Sequence, residues 1–539
     1  MTDPPVPDVC IVGAGPAGLA LAVALIGTDL SVLVLEAGAD VPDLNTLPRV
    51  ELTGEDPYPN GDIDGSHAAM VGGTAGLWGF ELKSEQDDRR IGLGCRYLPM
   101  QPLDLIARPE IGTPGWPIGR AELDRWSEHA HTLCGLGPYN YNTAMWSAPD
   151  AEPLPLADHG VVSSMFQFGS AEAFTVTAAA RVEQAGSIEL RRTCPVIRLE
   201  LDPSGAVVGV LTAGPGGHEL IRAGTVVLAA GGLETVRLLL ETGRHTGHTP
   251  GNASGMVGRY FMEHPLVRGG LLVTDPAQQW VRRLGLYATR KVDGHYVSAT
   301  FTLAEEVLQA EGLVACSALL VPRDTAYSSR GSQALARLRS PTGRREPVTS
   351  KLLNLLRVGL DAPNVARAML AGRRQRSIDQ ADWAGANADQ RYTVFEVVHQ
   401  TEQSPDPDNR LTLAPQVDDL GRSRLRLHWR WSPDDRRRIA RSRDLFATAL
   451  QQHGVGTVIN TDWDAGLPRL LGGTHHHLGA TRMAADPAAG VVDADCRVHG
   501  TSNLYIASGS VFPSGGYVNP TLTVVALALR LADHLSHSN

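Results

Sequence analysis

The stretch Asp8-Val-Cys-Ile-Val-Gly-Ala-Gly-Pro-Ala-Gly18 constrains the fold more than any other part of the chain. Val9 to Val12 reads as a buried strand that breaks into a glycine turn, and Leu19 to Ile26, rich in Ala and Leu, reads as the helix that follows. Ser31 to Leu35 is then a second strand, ending at Glu36. In that setting each glycine has its own task. Gly13 allows the tight turn, Gly15 lets a pyrophosphate approach backbone N–H groups, and Gly18 lets helix and strand pack closely. The helix N-terminus adds partial positive charge beneath the phosphates. Glu36 can accept hydrogen bonds from ribose hydroxyls and would repel a 2′-phosphate. The pattern predicts a dinucleotide site, for NAD or FAD alike.

Two later stretches have the same character. Thr225 to Ala230 is followed by Gly231-Gly232 and a helical run from Glu234 to Glu241, and Asn503 to Ala507 precedes a closing helix from about Thr521 to Leu535. One sheet assembled from discontinuous segments explains these pieces more economically than three domains. The expected fold is therefore α/β, a discontinuous Rossmann-like FAD-binding domain (1–95, 185–270 and 462–539) with a second, mixed-sheet α+β substrate domain (96–184 and 271–461). Ile188 to Asp202 and Val207 to Leu211 read as a hairpin near the border. Strands are expected in the second domain at Leu266–Val273, His295–Leu303, Leu313–Val321, Tyr392–His399, Asn409–Leu413 and Arg424–Trp429. Residues 322–376 carry twelve Lys or Arg against three acidic residues, with an apolar-periodic stretch from Lys351 to Leu370. They read as a solvated insertion with amphipathic helices, the alternatives being a lid over the active site or a partner or membrane contact.

Composition narrows the setting. A net charge of −10 argues against non-specific nucleic-acid binding, which depends on neutralising phosphates. No apolar run is long enough for a membrane span, and no basic start leads into a short apolar run. Six widely separated cysteines without a C-x-x-C spacing predict neither a metal cluster nor a dense disulfide framework, so the expected location is a reducing cytoplasm. A second glycine cluster, Val71-Gly72-Gly73-Thr74-Ala75-Gly76-Leu77-Trp78, would bring backbone donors close to something flat or anionic, which favours FAD.

The last seventy residues are the richest in motifs. Thr474-His475-His476-His477-Leu478-Gly479-Ala480-Thr481-Arg482-Met483 is followed by Val498-His499-Gly500, Ser510-Val511-Phe512-Pro513, Ser514-Gly515-Gly516 and Asn519-Pro520-Thr521. Together with the N-terminal glycine motif, the Gly72-Gly73-Thr74 loop and Asn252 to Pro265, these fall in the order of the glucose–methanol–choline (GMC) flavoprotein oxidoreductases, which the whole chain resembles. Trp78, the Gln403 to Leu413 stretch and an asparagine as second catalytic residue make it most similar to the pyranose oxidase and bacterial glycoside 3-oxidase branch.

The resemblance implies an enzyme that oxidises a CH–OH group of a sugar, glycoside or related polyol to a carbonyl, with hydride transfer to flavin N5. It places the catalytic histidine three residues before Gly479 and seven before Met483, at His476, with Asn519 as its partner. A neutral imidazole suits removal of the hydroxyl proton, and an amide can donate to the developing alkoxide without titrating. Cofactor contacts are expected at Gly13, Gly15, Gly18, Glu36, Gly72, Gly73, Thr74, Val196, Ala230, Gly509, Asn519 and Thr521. Gln403, Tyr517 and Thr74 are the substrate-side candidates. His475 and His477 are expected to pack or hydrogen-bond, with His477 as the alternative base, and no metal is expected, because neighbours on a strand point to opposite faces. His264 and His499 are assigned no chemistry, Arg482 braces backbone, and Asn519 could also cap the closing helix. Leu77 stands where fungal pyranose oxidases attach flavin through histidine, so the FAD is expected to be non-covalent, His67 being the one nearby substitute. Ala75 replaces a hydroxyl residue common in relatives. The electron acceptor is oxygen, a quinone or a protein. A sterol or antibiotic-pathway alcohol as substrate, or a non-catalytic flavin-binding protein, are the other readings.

Overall fold

Short strands made of apolar residues, such as Val9–Val12 and Val32–Leu35, suit a parallel sheet covered on both faces. In the computed structural model they form a five-stranded parallel sheet in the order Leu504–Ile506, Thr225–Leu228, Val9–Val12, Val32–Leu35, Ile188–Arg191. The structure describes residues 5–44, 46–56, 58–59, 63–83, 90–214, 217–339, 347–374, 383, 392–459 and 470–538. The three remote stretches thus meet in one sheet, wrapped by the helices Pro16–Ala24, Gly231–Thr246 and Thr521–Ser538. In such a sheet ligands lie beyond the carboxyl ends of the strands, which is where the glycine turn falls.

The expected hairpin is present between Val196–Leu201 and Val207–Gly214, but its first strand does not begin at Ile188. Ile188–Arg191 belongs to the parallel sheet, and Val196–Leu201, Val207–Gly214 and Gly217–Arg222 form a separate antiparallel meander. Periodicity read the two as continuous because the loop at Arg192 to Pro195 is short.

The second sheet is large and mostly antiparallel. Its path runs Gly456–Ile459, Pro265–Thr274, Val394–Thr401, Cys316–Arg323, His295–Leu303, Val161–Ser170, Arg90–Tyr97, Phe80–Lys83. Arg90–Tyr97 and Pro265–Thr274 run across the expected borders at 95 and 270 and lie in this sheet. The border at 461 and 462 lies outside the described residues. One face of the sheet carries Gln400 to Asn519. The other buries a core that includes Trp146, Trp280, Phe301, Phe395 and Phe446. Phe446 comes from the helix Pro433–Gln452, whose start is set by Pro433 and by the Ser432 hydroxyl accepting from the Asp434 N–H. The expected strands at Asn409–Leu413 and Arg424–Trp429 instead pair with each other, and the second of them with Val50–Thr53, in a small separate sheet.

Residues 322–376 contain the helices Arg330–Arg339, Val348–Leu360 and Ala362–Arg374. They are the exposed amphipathic helices expected, with Leu352, Leu355, Leu356 and Leu360 facing outward. Among the described residues, no helix is long and apolar enough to cross a membrane.

Candidate active site

The glycine turn opens a long cavity. Gly13 has φ +108°, and a Cβ there would lie 2.6 Å from the Ala229 carbonyl oxygen, so only glycine turns the chain beneath the neighbouring strand. A Cβ on Gly18 would lie 2.0 Å from the Gly13 carbonyl oxygen, which accounts for its packing role. Gly15 meets nothing closer than the Cα of Gly73, at 3.8 Å, and thus leaves backbone open to a ligand. The cavity wall includes Gly13, Gly15, Glu36, Gly73, Thr74, Val196, Ala230, Gly509 and Thr521, with His475, His476 and His477 along it too. Of the expected cofactor contacts, Gly18, Gly72 and Asn519 do not line it. Gly18 packs helix on turn, and the Gly72 N–H donates to the Ala14 carbonyl at 2.8 Å while its α-carbon sits against Thr175. Asn519 is tied to the second sheet instead.

Glu36 is buried, and its two oxygens accept from the Ala14 and Gly38 N–H groups, each at 2.9 Å. Burial pushes its carboxyl up from the usual range, and these N–H groups act against that. The acid therefore holds the glycine turn and faces the cavity at once. Further along the wall, both ring nitrogens of His67 and Glu234 Oε1 are buried without a hydrogen-bond partner. Unsatisfied polar atoms of this kind are costly unless a ligand completes them. A cavity that begins at a buried acid, passes a glycine cradle and ends at histidines fits an extended dinucleotide such as FAD. Leu77 is 41% exposed and absent from the wall that the neighbouring Trp78 lines.

At the far end, a strained residue sets the geometry. His475 has φ +59°, a left-handed conformation rare for a non-glycine residue. Residues 474–477 are not part of a strand, yet the three rings still do not converge on one point. His475 and His477 fall together with Glu263, their ligand atoms within 4.8 Å of one another. The Glu263 carboxylate is nevertheless committed to scaffolding. It accepts from the His264 N–H (2.8 Å), the His476 N–H (2.9 Å), the Thr474 hydroxyl (3.0 Å) and the Tyr58 hydroxyl (2.8 Å). His477 Nε2 bonds the Ser66 hydroxyl at 3.1 Å, as expected of a supporting residue.

His476 differs from its neighbours. Its Nδ1 lies 2.7 Å from the Thr474 hydroxyl and 2.8 Å from His264 Nδ1. Because the threonine proton is directed to Glu263 or the His264 carbonyl, its oxygen accepts from His476. That places the imidazole proton on Nδ1 and leaves the Nε2 lone pair as the basic site. Burial holds the His476 ring well below its ordinary value, and the His264, His477 and His475 rings push the same way. A neutral base results. His264, assigned no chemistry from sequence, is packed edge-to-face on His476 at 5.0 Å between ring centres and fixes its orientation.

Asn519 is oriented by a residue the sequence reading missed. Its Oδ1 accepts from Gln400 Nε2 at 2.9 Å, so its own N–H groups remain the donors it can offer. Gln400 also bonds the Tyr517 carbonyl (2.8 Å) and accepts from Arg96 (3.2 Å). The Arg96 charge also bears on His476, which ties both candidates to one locality. Nothing in the chain order marks Gln400 or Arg96. They are ordinary strand residues that the second sheet brings to the loop.

A buried ion pair braces that loop from below. Arg108 meets both oxygens of Glu402 at 3.0 and 2.8 Å, and the carboxylate also accepts from the Gly516 and Ala315 N–H groups. Asp104 lies beside them, and burial together with the Glu402 charge pushes its carboxyl up to about 7. Of the substrate-side candidates, Gln403 is corrected: it accepts from the Glu263 N–H and donates to the Arg430 carbonyl, a backbone brace. Tyr517 is buried on a neighbouring polar cavity, and Thr74 lines the dinucleotide cavity. Arg482 bonds the Ala489 carbonyl and His499 the Ala484 carbonyl, both structural.

The family model described as GMC oxidoreductase matches residues 405–528. Paromamine 6'-oxidase of Streptomyces fradiae is 23% identical over 97% of this chain and 90% of its own. Fructose dehydrogenase large subunit of Gluconobacter japonicus is 26% identical over 98% and 97%. C-glycoside 3-oxidase of Microbacterium trichothecenolyticum is 33% identical over 22% of each chain. Among solved structures, the pyridoxine 4-oxidase of Mesorbium loti aligns over 99% of both chains with a TM-score of 0.48 and 16% identity.

Proposed function

Because the chain is an oxidoreductase of the GMC family, we propose that it oxidises a CH–OH group of a sugar, glycoside or related polyol to a carbonyl, using FAD held non-covalently. The observation that carries this reading is His476: a buried neutral imidazole, its Nδ1 proton spoken for, on the wall of the cavity that also contains the glycine turn and Glu36. Gly13, Gly15, Glu36, Gly73, Thr74, Val196, Ala230, Gly509 and Thr521 would hold the cofactor. Bound FAD supplies a two-electron acceptor. The parallel sheet with its glycine turn and covering helices makes up the cofactor-holding part, and the large antiparallel sheet, which takes in Arg90–Tyr97 and Pro265–Thr274, shapes the substrate side.

The protein's own groups divide the work. An unactivated alcohol gives up hydride readily only as its hydroxyl proton departs, because alkoxide character drives the C–H electrons out. His476 Nε2 takes that proton. The Asn519 N–H donates to the oxygen as its charge rises, and Gln400, fixed by Arg96, keeps the amide turned the right way. The O–H proton thus goes to His476 and the C–H hydrogen leaves as hydride, which balances the carbonyl product. Names of relatives favour carbohydrate and aminoglycoside alcohols as substrates. Six free thiols, four of them buried, are consistent with a reducing cytoplasm.

A panel of pyranoses, glycosides, aminosugars and a sterol, assayed with a dye and with oxygen and followed by product NMR, tests the reading. Carbonyl formation from sugars or glycosides is expected. Turnover of the sterol alone, or of no alcohol, would contradict it. Acid denaturation is expected to release free FAD, consistent with Leu77 lacking a nucleophilic nitrogen.

A further inference from the structure

The helix Val348–Leu360 is mounted inside out. Asn354, its most polar uncharged residue, is 4% exposed and faces the protein, with Lys351 and Val358 half-buried on the same side. Leu352, Leu355, Leu356 and Leu360, at i, i+3, i+4 and i+8 on the opposite side, are 60%, 56%, 58% and 79% exposed. Val348 and Leu353 flank this stripe, and Met369 and Leu370 of the helix Ala362–Arg374 add to the exposed apolar surface. Isolated exposed leucines are unremarkable, but a contiguous stripe of this kind marks a surface that something apolar covers.

Charge identifies the cover. Residues 322–376 hold twelve Lys or Arg and three Asp or Glu, a balance of +9 within a chain of net charge −10. The rest of the molecule is therefore strongly acidic and is repelled by any anionic surface, while this segment is drawn to it. Arg330, Arg337, Arg339, Lys351, Arg357 and Arg367 all belong to the same three helices. A second copy docked by two-fold symmetry would place two such basic regions against each other, which Coulomb repulsion disfavours. Leucines on one face with arginines near them are the chemistry of a helix lying in a lipid interface. None of the described helices can span a bilayer, so the contact is parallel to the surface.

We propose that the paired helices Val348–Leu360 and Ala362–Arg374 dock the protein on an anionic bilayer, the leucines entering the head-group boundary and the basic residues meeting lipid phosphates. The attachment is peripheral and reversible, and combines apolar burial with charge attraction that salt screens. This surface is separate from the dinucleotide cavity, so docking and alcohol oxidation can be altered independently.

Vesicle flotation of the full-length, flavin-loaded protein tests this. Phosphatidylcholine vesicles containing phosphatidylglycerol are expected to carry at least about tenfold more protein than phosphatidylcholine alone, with release at high salt. The double variant L352E/L356E is expected to lose flotation while keeping its flavin absorbance and thermal transition, and Arg357→Glu is expected to weaken it. Absence of wild-type flotation, or flotation undiminished in L352E/L356E, overturns the proposal. So does a concentration-dependent dimer in light scattering that the double variant abolishes while no vesicle binding is seen, because a second copy would then be the cover.

Discussion

At the scale of single residues, the account rests on the protonation state of one ring. His476 is held well below the ordinary histidine value of 6.5, so it is already a free base at neutral pH. The acid limb of flavin reduction by substrate is therefore expected below pH 6.5, with a plateau through neutrality. A limb centred at or above 6.5 would contradict the burial argument. In the proposed mechanism Asn519 contributes through its remaining N–H groups, so Gln400→Ala is expected to lower the reduction rate by about 10- to 100-fold with folding intact, as befits loss of a positioning residue one step from the oxyanion donor. Rescue by Gln400→Asn is not expected, because the shorter amide cannot reach both Asn519 and the Tyr517 carbonyl. His476 and Asn519 could be named from sequence because they stand at fixed offsets from a glycine, a methionine and a proline. Gln400, Arg96 and the ring of His264 could not, since only tertiary packing makes them neighbours of the pair.

At the scale of elements, the glycine turn was legible almost residue by residue, for a physical reason. Turn, close approach and helix packing each forbid a Cβ, and that demand is written directly into the chain. Gly18→Val is accordingly expected to abolish cofactor retention: its side chain would collide with the Gly13 carbonyl, and purified protein should lose most of its visible absorption. The strand His295–Leu303 has its expected ends, because Val297, Ala299, Phe301 and Leu303 alternate with hydroxyl residues at a period of two, although both faces are buried. Val161–Ser170 and the helices Arg120–Cys134 and Pro433–Gln452 escaped notice. The strand carries hydroxyl residues on a face turned toward a polar cavity, and the long helix is dominated by arginine and aspartate over a thin apolar stripe. The left-handed turn at His475 has no sequence signal of its own. The basic insertion was rightly read as helical, but which side of a helix faces outward is a property of what surrounds it.

At the scale of the whole molecule, the site is assembled from segments hundreds of residues apart, and the assembly carries a pH signature. Asp104, Arg108 and Glu402 hold the loop that leads to Asn519, and Asp104 is pushed from an ordinary 3.8 up to about 7. A carboxyl whose folded value is raised costs nothing below its unfolded value, where both states are protonated. Its penalty grows as pH rises from about 4 to 7 and is constant above that. Asp104→Asn keeps an acceptor for the Gln101 N–H and removes the titration, so its melting temperature is expected to gain on the wild type across that window. An advantage independent of pH would show that Asp104 is not the titrating group.

The most direct test of the central claim is anaerobic stopped-flow reduction of the bound flavin by a sugar or glycoside substrate. The account predicts rapid bleaching in the wild type and a loss of about 10²- to 10⁴-fold in His476→Ala, with a smaller loss in Asn519→Ala, both variants retaining full flavin. Bleaching in His476→Ala at the wild-type rate would contradict it.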